Sequence, residues 1–181
     1  FLKKQNYQTL TDTLDYLQRL GVTAIELMPV NEFDGNISWG YNPTYHYALD
    51  KYYGTPEAFK TLVDAAHERG ISVILDVVFN HAHEKNPLCM LYWDGANNRP
   101  APDNPWLNPQ APHDFSVFYD FNHESEATKI YVRKTLRHWL DEYHVDGFRF
   151  DLSKGLTQNT SGPWDAGAYD ATRIATIENY A

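Results

Sequence analysis

The sequence predicts an α/β fold built on parallel strands, and three observations carry that expectation. Helix-like and strand-like periodicities alternate along the chain in the order helix, strand, helix, strand, helix, strand, helix; such an order implies parallel strands joined by right-handed crossovers. The run "ISVILDVVF" at 71–79 is nearly all apolar and rich in branched side chains, as expected of a parallel strand covered on both faces. The links from helix to strand are short, whereas the segments after the strands are long, at about 31–54, 80–125 and 153–169. Structureless connections beyond ~12–15 residues are uncommon unless functional. Leaving the C-terminal ends of parallel strands, these would gather at one rim, where folds of this class build their sites.

The elements follow in order. Leu10, Leu14 and Leu17 recur at the spacing of one amphipathic helix, with Gly21 placed to close it. "VTAIELMPV" at 22–30 is the first strand. Thr55 offers an N-cap oxygen, Pro56 the favoured first helical position and Glu57 a charge matched to the helix dipole; Phe59, Leu62, Val63 and Ala66 then form one stripe before Gly70. After the apolar strand at 71–79, a further helix carries Ile130, Leu136, Trp139, Leu140 and Tyr143 on one side. "VDGFRFDL" at 145–152 is the third strand, and 170–181 starts a last helix with Ile174 and Ile177 inward. Alternation along the third strand sends Gly147, Arg149 and Asp151 to one face and Phe148, Phe150 and Leu152 to the other.

A chain of 181 residues is long enough for one domain with a real core, burying roughly 70% of its unfolded surface. A formal net charge of −9, with Lys3-Lys4 the longest basic pair, argues against nucleic acid or an anionic membrane as partner. The single cysteine, Cys89, excludes an internal disulfide and a multi-thiolate metal site. No apolar run approaches the ~20 residues that span a bilayer. The chain begins at Phe1 without a methionine and stops inside a helical pattern, so both ends are expected to be cut. Localisation stays open, with a secreted or periplasmic place compatible.

Asp76 and Asp151 fall at or near the C-terminal ends of predicted buried strands, where desolvation would raise a carboxyl pKa. Arg149 on the same face as Asp151 would reverse that and keep the carboxylate ionised, as a nucleophile requires. From spacing alone, a plain buried ion pair is an equal alternative. His81 and His83 in "NHAH" form a His-x-His without a third ligand nearby, which favours a satisfied or sugar-contacting histidine over zinc. Trp39, Tyr41, Tyr45, Tyr47, Tyr52, Tyr53, Tyr92, Trp93 and Trp106 crowd the long segments. Flat aromatic faces suit the apolar C–H faces of sugar rings, although any single one more often closes a core.

"DVVFNH" at 76–81 and "GFRFDLSKG" at 147–155, separated by a long insertion, resemble two short motifs of the α-amylase superfamily, glycoside hydrolase family 13. "WGYNP" at 39–43 resembles the loop after the second barrel strand in that family, above all in its pullulanase-like and branching-enzyme-like members. "FYDFNHES" at 118–125 resembles a diverged form of the motif that ends the inserted small domain. The resemblance implies a fragment of a (β/α)8 TIM barrel, its second to fourth strand units, with a long loop insertion after the third barrel strand and residues 82–124 as an inserted subdomain.

Carried over residue by residue, the resemblance makes Asp151 the nucleophile of a retaining double displacement and Arg149 its charge partner. Tyr41 would stack beneath the sugar at the cleavage point, His81 would bond that sugar's hydroxyls, Asp76 would brace the strand end and the arginine, and Lys154 would reach a sugar on the leaving-group side. Asn80, Asp120 and the carbonyl of Gly155 match positions that bind calcium in many relatives, although Gly155 replaces a frequent histidine and Asp120 lies in an unusual version of its motif. Such a calcium would be structural, and the chemistry needs no cofactor. The implied partners are an α-glucan oligo- or polysaccharide and the remainder of the chain's own barrel.

In the family the general acid, a glutamate, ends the fifth strand and a further catalytic aspartate ends the seventh. Neither is in this chain, which taken alone is expected to be inactive and to expose apolar sheet edges. Three alternatives are open: a glucan branching or other transglycosylating enzyme, a non-catalytic amylase-like scaffold, and an unrelated metal-dependent hydrolase using His81 and His83.

Overall fold

A computed structural model describes residues 6–115 and 117–181; Lys3, Lys4 and the rest of 1–5, with Ser116, lie outside the described residues. In chain order the elements are α1 (Tyr7–Thr11), α2 (Leu14–Arg19), β1 (Ala24–Leu27), β2 (Asn31–Phe33), β3 (Pro43–Leu49), α3 (Pro56–His67), β4 (Ser72–Val77) and β5 (His81–Ala82). There follow α4 (Pro87–Leu91), β6 (Trp93–Asp94), β7 (Arg99–Pro100), β8 (Tyr119–Asp120), α5 (Glu126–Tyr143), β9 (Gly147–Phe150) and α6 (Ala171–Tyr180). β1, β4 and β9 form one parallel sheet in that order. The α/β class with a parallel sheet is therefore as the sequence predicted. The central strand is the most buried of the three, and its register sets Asp76 beside Arg149 and Leu75 beside Phe148.

α3 forms for the reasons its sequence gives. The Thr55 hydroxyl accepts from the Ala58 N–H at 3.2 Å, Pro56 occupies the first turn, and Phe59, Leu62, Val63 and Ala66 are all fully buried. Each of the three larger side chains contributes about 1.5–3 kcal/mol by leaving water. They join Val73, Leu75, Val77, Leu136 and Trp139 in the main core.

Four local expectations are corrected. The first helix is two short ones, α1 and α2. Thr11 Oγ1 bonds back to the Tyr7 carbonyl at 2.9 Å and Thr13 Oγ1 to that of Thr9 at 2.7 Å; such back-bonding competes with a continuous ladder, while Leu10 and Leu14 stay buried on either side of the break. On α5, Ile130 and Leu140 are exposed. The inward stripe is Val132, Thr135, Leu136, Trp139 and Tyr143; helical spacing puts Ile130 opposite that stripe and Leu140 at its rim. On α6, Ile174 is exposed and Ile177 only partly buried, because the inward positions go to Thr176 and Tyr180, whose ring stacks on Phe150. The three strands are also shorter than their apolar runs. β4 stops at Val77, and the next two carbonyls, of Val78 and Phe79, accept from histidine rings instead of a neighbouring strand.

The long segments carry structure of their own. β2 and β3 pair antiparallel after β1. Between β4 and α5, β5 pairs with β8 and β6 with β7, around a small second core of Ala82, Cys89, Leu107 and Phe121. No described helix is long and apolar enough to cross a membrane.

Candidate active site

The site begins with a glycine. Gly40 has φ +91°, and a Cβ there would lie 2.6 Å from the Pro29 carbonyl oxygen. Only glycine combines the left-handed backbone with that approach. The turn delivers Tyr41 to the end of β4, where its hydroxyl donates to Asp76 Oδ2 at 2.6 Å.

Asp76 is 3% exposed, and a carboxylate at that depth needs partners. Its register neighbour supplies them: Arg149 Nη1 lies 2.9 Å from each Asp76 oxygen and donates to Asp151 Oδ1 at 2.7 Å. One guanidinium thus bridges the carboxylates of two adjacent strands. These bonds, first to Asp76 and then to Asp151, hold its pKa above even the ordinary arginine value. The Asp151 side chain is 19% exposed; among the described residues no hydrogen bond engages its Oδ2, which is left for an incoming group. Leu152 follows at φ +46°, a left-handed conformation uncommon for a branched residue. It ends the strand alternation and turns the chain into the 3-10 turn Ser153–Gly155.

His81 is buried behind Tyr41. Its Nε2 donates to the Tyr41 carbonyl at 2.8 Å and its Nδ1 accepts from Asn80 Nδ2 at 3.1 Å, so both ring nitrogens are engaged by protein. Burial lowers its pKa, opposed by the Tyr41 carbonyl and Asp151. The Tyr41 hydroxyl shifts up, first by desolvation and then by its bond to Asp76.

Five residues singled out in the sequence, Tyr41, Asp76, His81, Arg149 and Asp151, therefore share one bonded network. Lys154 is not in it. Its ammonium stands 5.5 Å from the centroid of the Phe115 ring, on the rim beyond. His83 separates from His81 and faces Asp34 Oδ2 at 3.6 Å. Among the described residues no three His, Cys, Asp or Glu side chains converge on a possible metal position, so a shared zinc at His81 and His83 has no geometric support. Of the aromatic residues, Tyr53 packs on the main core and Trp106 on the second, whereas Trp39, Tyr45, Tyr47, Tyr52 and Tyr92 present exposed faces.

Asn80, Asp120 and Gly155 do come together, but around a protein group. Asn80 Oδ1 and Asp120 Oδ1 are buried without a hydrogen bond, as a cation cradle would offer. The His113 ring fills the gap, with Nε2 3.1 Å from Asp120 Oδ1. That is ion-pair distance, although the N–H direction misses the oxygen and makes no well-formed hydrogen bond. Burial pulls the His113 pKa down, but Asp120 and the Gly155 carbonyl together pull harder, and the net shift is upward. Asp120 Oδ2 accepts from Asn108 at 2.7 Å. The one carboxylate oxygen that an oxygen-ligated cation would take here is already set against a ring nitrogen, which does not suit calcium.

Sequence reasoning missed three histidines. His46 Nε2 donates to the Val78 carbonyl at 3.0 Å and its Nδ1 accepts from Tyr131 Oη at 3.0 Å. His123 Nε2 donates to Phe79 O at 2.7 Å and its Nδ1 accepts from Tyr180 Oη at 2.8 Å. This pair caps the two carbonyls just before Asn80 and His81 and so fixes the strand end that carries the site. His113 is the third. The available signal was a polar residue at a buried position of strand β3 for His46, and for His123 its place inside "FYDFNHES".

The arrangement can present one carboxylate oxygen, backed by a guanidinium, to an electrophilic carbon beside the Tyr41 ring. Asp76 is no proton donor in it, because both of its oxygens are occupied by Arg149 and Tyr41.

Comparison with known proteins adds independent findings. The family model described as the alpha amylase catalytic domain matches residues 5–114. The chain is similar to malto-oligosyltrehalose trehalohydrolase of Saccharolobus solfataricus, 33% identical over 162 residues, covering 88% of this chain and 27% of that protein. It is also similar to the 1,4-alpha-glucan branching enzyme of Corynebacterium glutamicum, 34% identical over 170 residues, covering 91% of this chain and 23% of that protein. Among solved structures, the type I pullulanase of Bacillus subtilis complexed with maltose superposes with a TM-score of 0.71 at 28% identity, over 97% of this chain and 26% of that one. The alpha-amylase of Geobacillus thermoleovorans complexed with acarbose gives 0.69 at 27% identity, over 86% and 35%. The chain spans about a quarter of the length of the curated relatives it matches.

Proposed function

The chain belongs to the alpha-amylase family, and from that premise we propose that it supplies the second to fourth strand units of a (β/α)8 barrel in an enzyme that cleaves or transfers α-glucosidic bonds of starch-like or glycogen-like glucans with retention. The sheet order supports the barrel: three parallel strands lie side by side in chain order, without the reversal that marks an open doubly wound sheet. An apolar concavity lined by Tyr7, Leu10, Leu27, Met28 and Trp39 lies beside β1, where a preceding strand unit would pack. Residues 82–124 form the inserted subdomain, a reading supported by the second apolar cluster within it.

In this reading Asp151 Oδ2 attacks the anomeric carbon, forming a glycosyl ester as the bond to the leaving oxygen breaks. The leaving oxygen takes its proton from a second carboxylic acid, which a retaining site places roughly 5–5.5 Å from the nucleophile. That acid lies elsewhere in the whole protein, as Asp76 cannot serve. Water, or a sugar hydroxyl in a transferase, then attacks the same carbon, gives its proton back to that second carboxylate and frees Asp151. Arg149 neutralises the carboxylate before and after, and the Tyr41 ring packs against the sugar face. Its carbonyl is held by His81, so a sugar hydroxyl reaches His81 Nε2 only by displacing that bond. Lys154 on the rim would contact a sugar beyond the leaving oxygen.

The observation that carries the proposal is Asp151 at the mouth end of β9 with one oxygen held by Arg149 and the other, among the described residues, unengaged. In the full-length protein, Asp151→Asn should abolish turnover of amylose, pullulan and glycogen while leaving the unfolding transition in place. Near-normal turnover by that variant refutes the assignment. The products of the unmodified enzyme, shortened chains or new branches, separate hydrolysis from transfer.

A further inference from the structure

Three segments that do not adjoin in sequence meet beside the site: the link after β4 at Asn80, β8 at Asp120 and the turn after β9 at Gly155. What lies between them is the His113 ring. A Cβ on Gly155 would stand 1.7 Å from Asn80 Oδ1 and 2.9 Å from His113 Cε1, so the absence of a side chain at 155 makes room for the amide oxygen and the imidazole together. The ring's Nε2 is 3.1 Å from Asp120 Oδ1, with both side chains buried. The other Asp120 oxygen is held by Asn108, which also donates to Gln158 Oε1 at 3.0 Å in the segment that follows this turn. A hard cation at this corner would need the Asp120 oxygen that the imidazole already faces.

The geometry points to a substitution at this corner: the His113 imidazole, in place of a divalent cation, fills the space between Asn80 and the Gly155 turn and sets its Nε2 against Asp120. The corner then needs no metal to hold His81, next to Asn80, or Lys154, next to Gly155. The expectation of a cation rests on the family assignment, but the substitution is read without substrate, and its failure would leave the glycosidase proposal standing.

The test uses the full-length protein dialysed against metal-free buffer. Calcium bound per molecule is measured by elemental mass spectrometry, and Tm is compared in EDTA and in millimolar calcium chloride. The expected result is no stoichiometric calcium and the same Tm in both, since a ligand that binds only the folded state raises Tm as its concentration passes its Kd. One calcium per chain assigned to this corner by its loss in Asp120→Asn, or a Tm several degrees higher in calcium that the same variant abolishes, overturns the proposal. His113→Ala should lower Tm by several degrees, and an unchanged Tm in that variant also overturns it. Should His113→Ala fail to fold, the metal content of the unmodified protein decides alone.

Discussion

Acidification should loosen the strand end that carries the site, and the size of the effect follows from two imidazoles. His46 and His123 are buried, and desolvation lowers each pKa from about 6.5 to about 4, against the opposing pull of the Val78 and Phe79 carbonyls. Between those values the unfolded chain binds protons that the folded chain refuses, so stability rises with pH across the window. The contribution is complete above pH 6.5 and is lost as pH falls toward 4. From pH 7 to pH 5 each ring should cost about 2 kcal/mol and the pair about 4 kcal/mol. His81, also lowered by burial, adds in the same direction, whereas His113, shifted up, opposes it. The assay is urea unfolding of the full-length protein from pH 7 to 5, beside His46→Gln and His123→Gln singly and together. Glutamine keeps an N–H for the carbonyl and an acceptor for the tyrosine but does not titrate, so the double variant should lose about 4 kcal/mol of the pH dependence. Parallel pH profiles for the double variant and the unmodified protein would refute the reasoning.

Arg149→Lys keeps the charge but replaces the guanidinium, whose Nη1 reaches both Asp76 and Asp151, by an ammonium on a shorter stem. With Arg149 46% exposed, the stability loss should be about 1–2 kcal/mol, below the 3–5 kcal/mol of a fully buried broken pair; kcat should fall at least about tenfold, and a kcat equal to the unmodified enzyme's would exclude the bridge from the chemistry. Tyr41→Ala removes an aromatic face worth on the order of 1–3 kcal/mol of apolar contact, so kcat/KM on a maltooligosaccharide should drop about 5- to 150-fold; an unchanged value takes Tyr41 out of the site. Gly155→Ala puts a methyl carbon 1.7 Å from Asn80 Oδ1 and should destabilise by more than about 3 kcal/mol, a large effect for one methyl group and measurable as a lowered Tm; a neutral result would mean that the corner is looser than described.

Much of this was legible in the sequence because it is local. Thr55-Pro56 and the stripe from Phe59 to Ala66 specify α3 through capping and helical periodicity, and "ISVILDVVF" specifies a buried strand through its unbroken apolar run. Period two put Arg149 and Asp151 on one face, and the four short motifs named the family without help from coordinates. Tertiary structure decided what depends on neighbours distant in the chain. That Arg149 also holds both oxygens of Asp76 follows from the β4–β9 register, which no local pattern encodes. The exposed Ile130, Leu140 and Ile174 reflect which face the rest of the chain covers. The same holds for His46, His113 and His123: a histidine's partners are set by what folds over it, and the sequence can supply the ring but not the carbonyl, carboxylate or tyrosine that gives it a role.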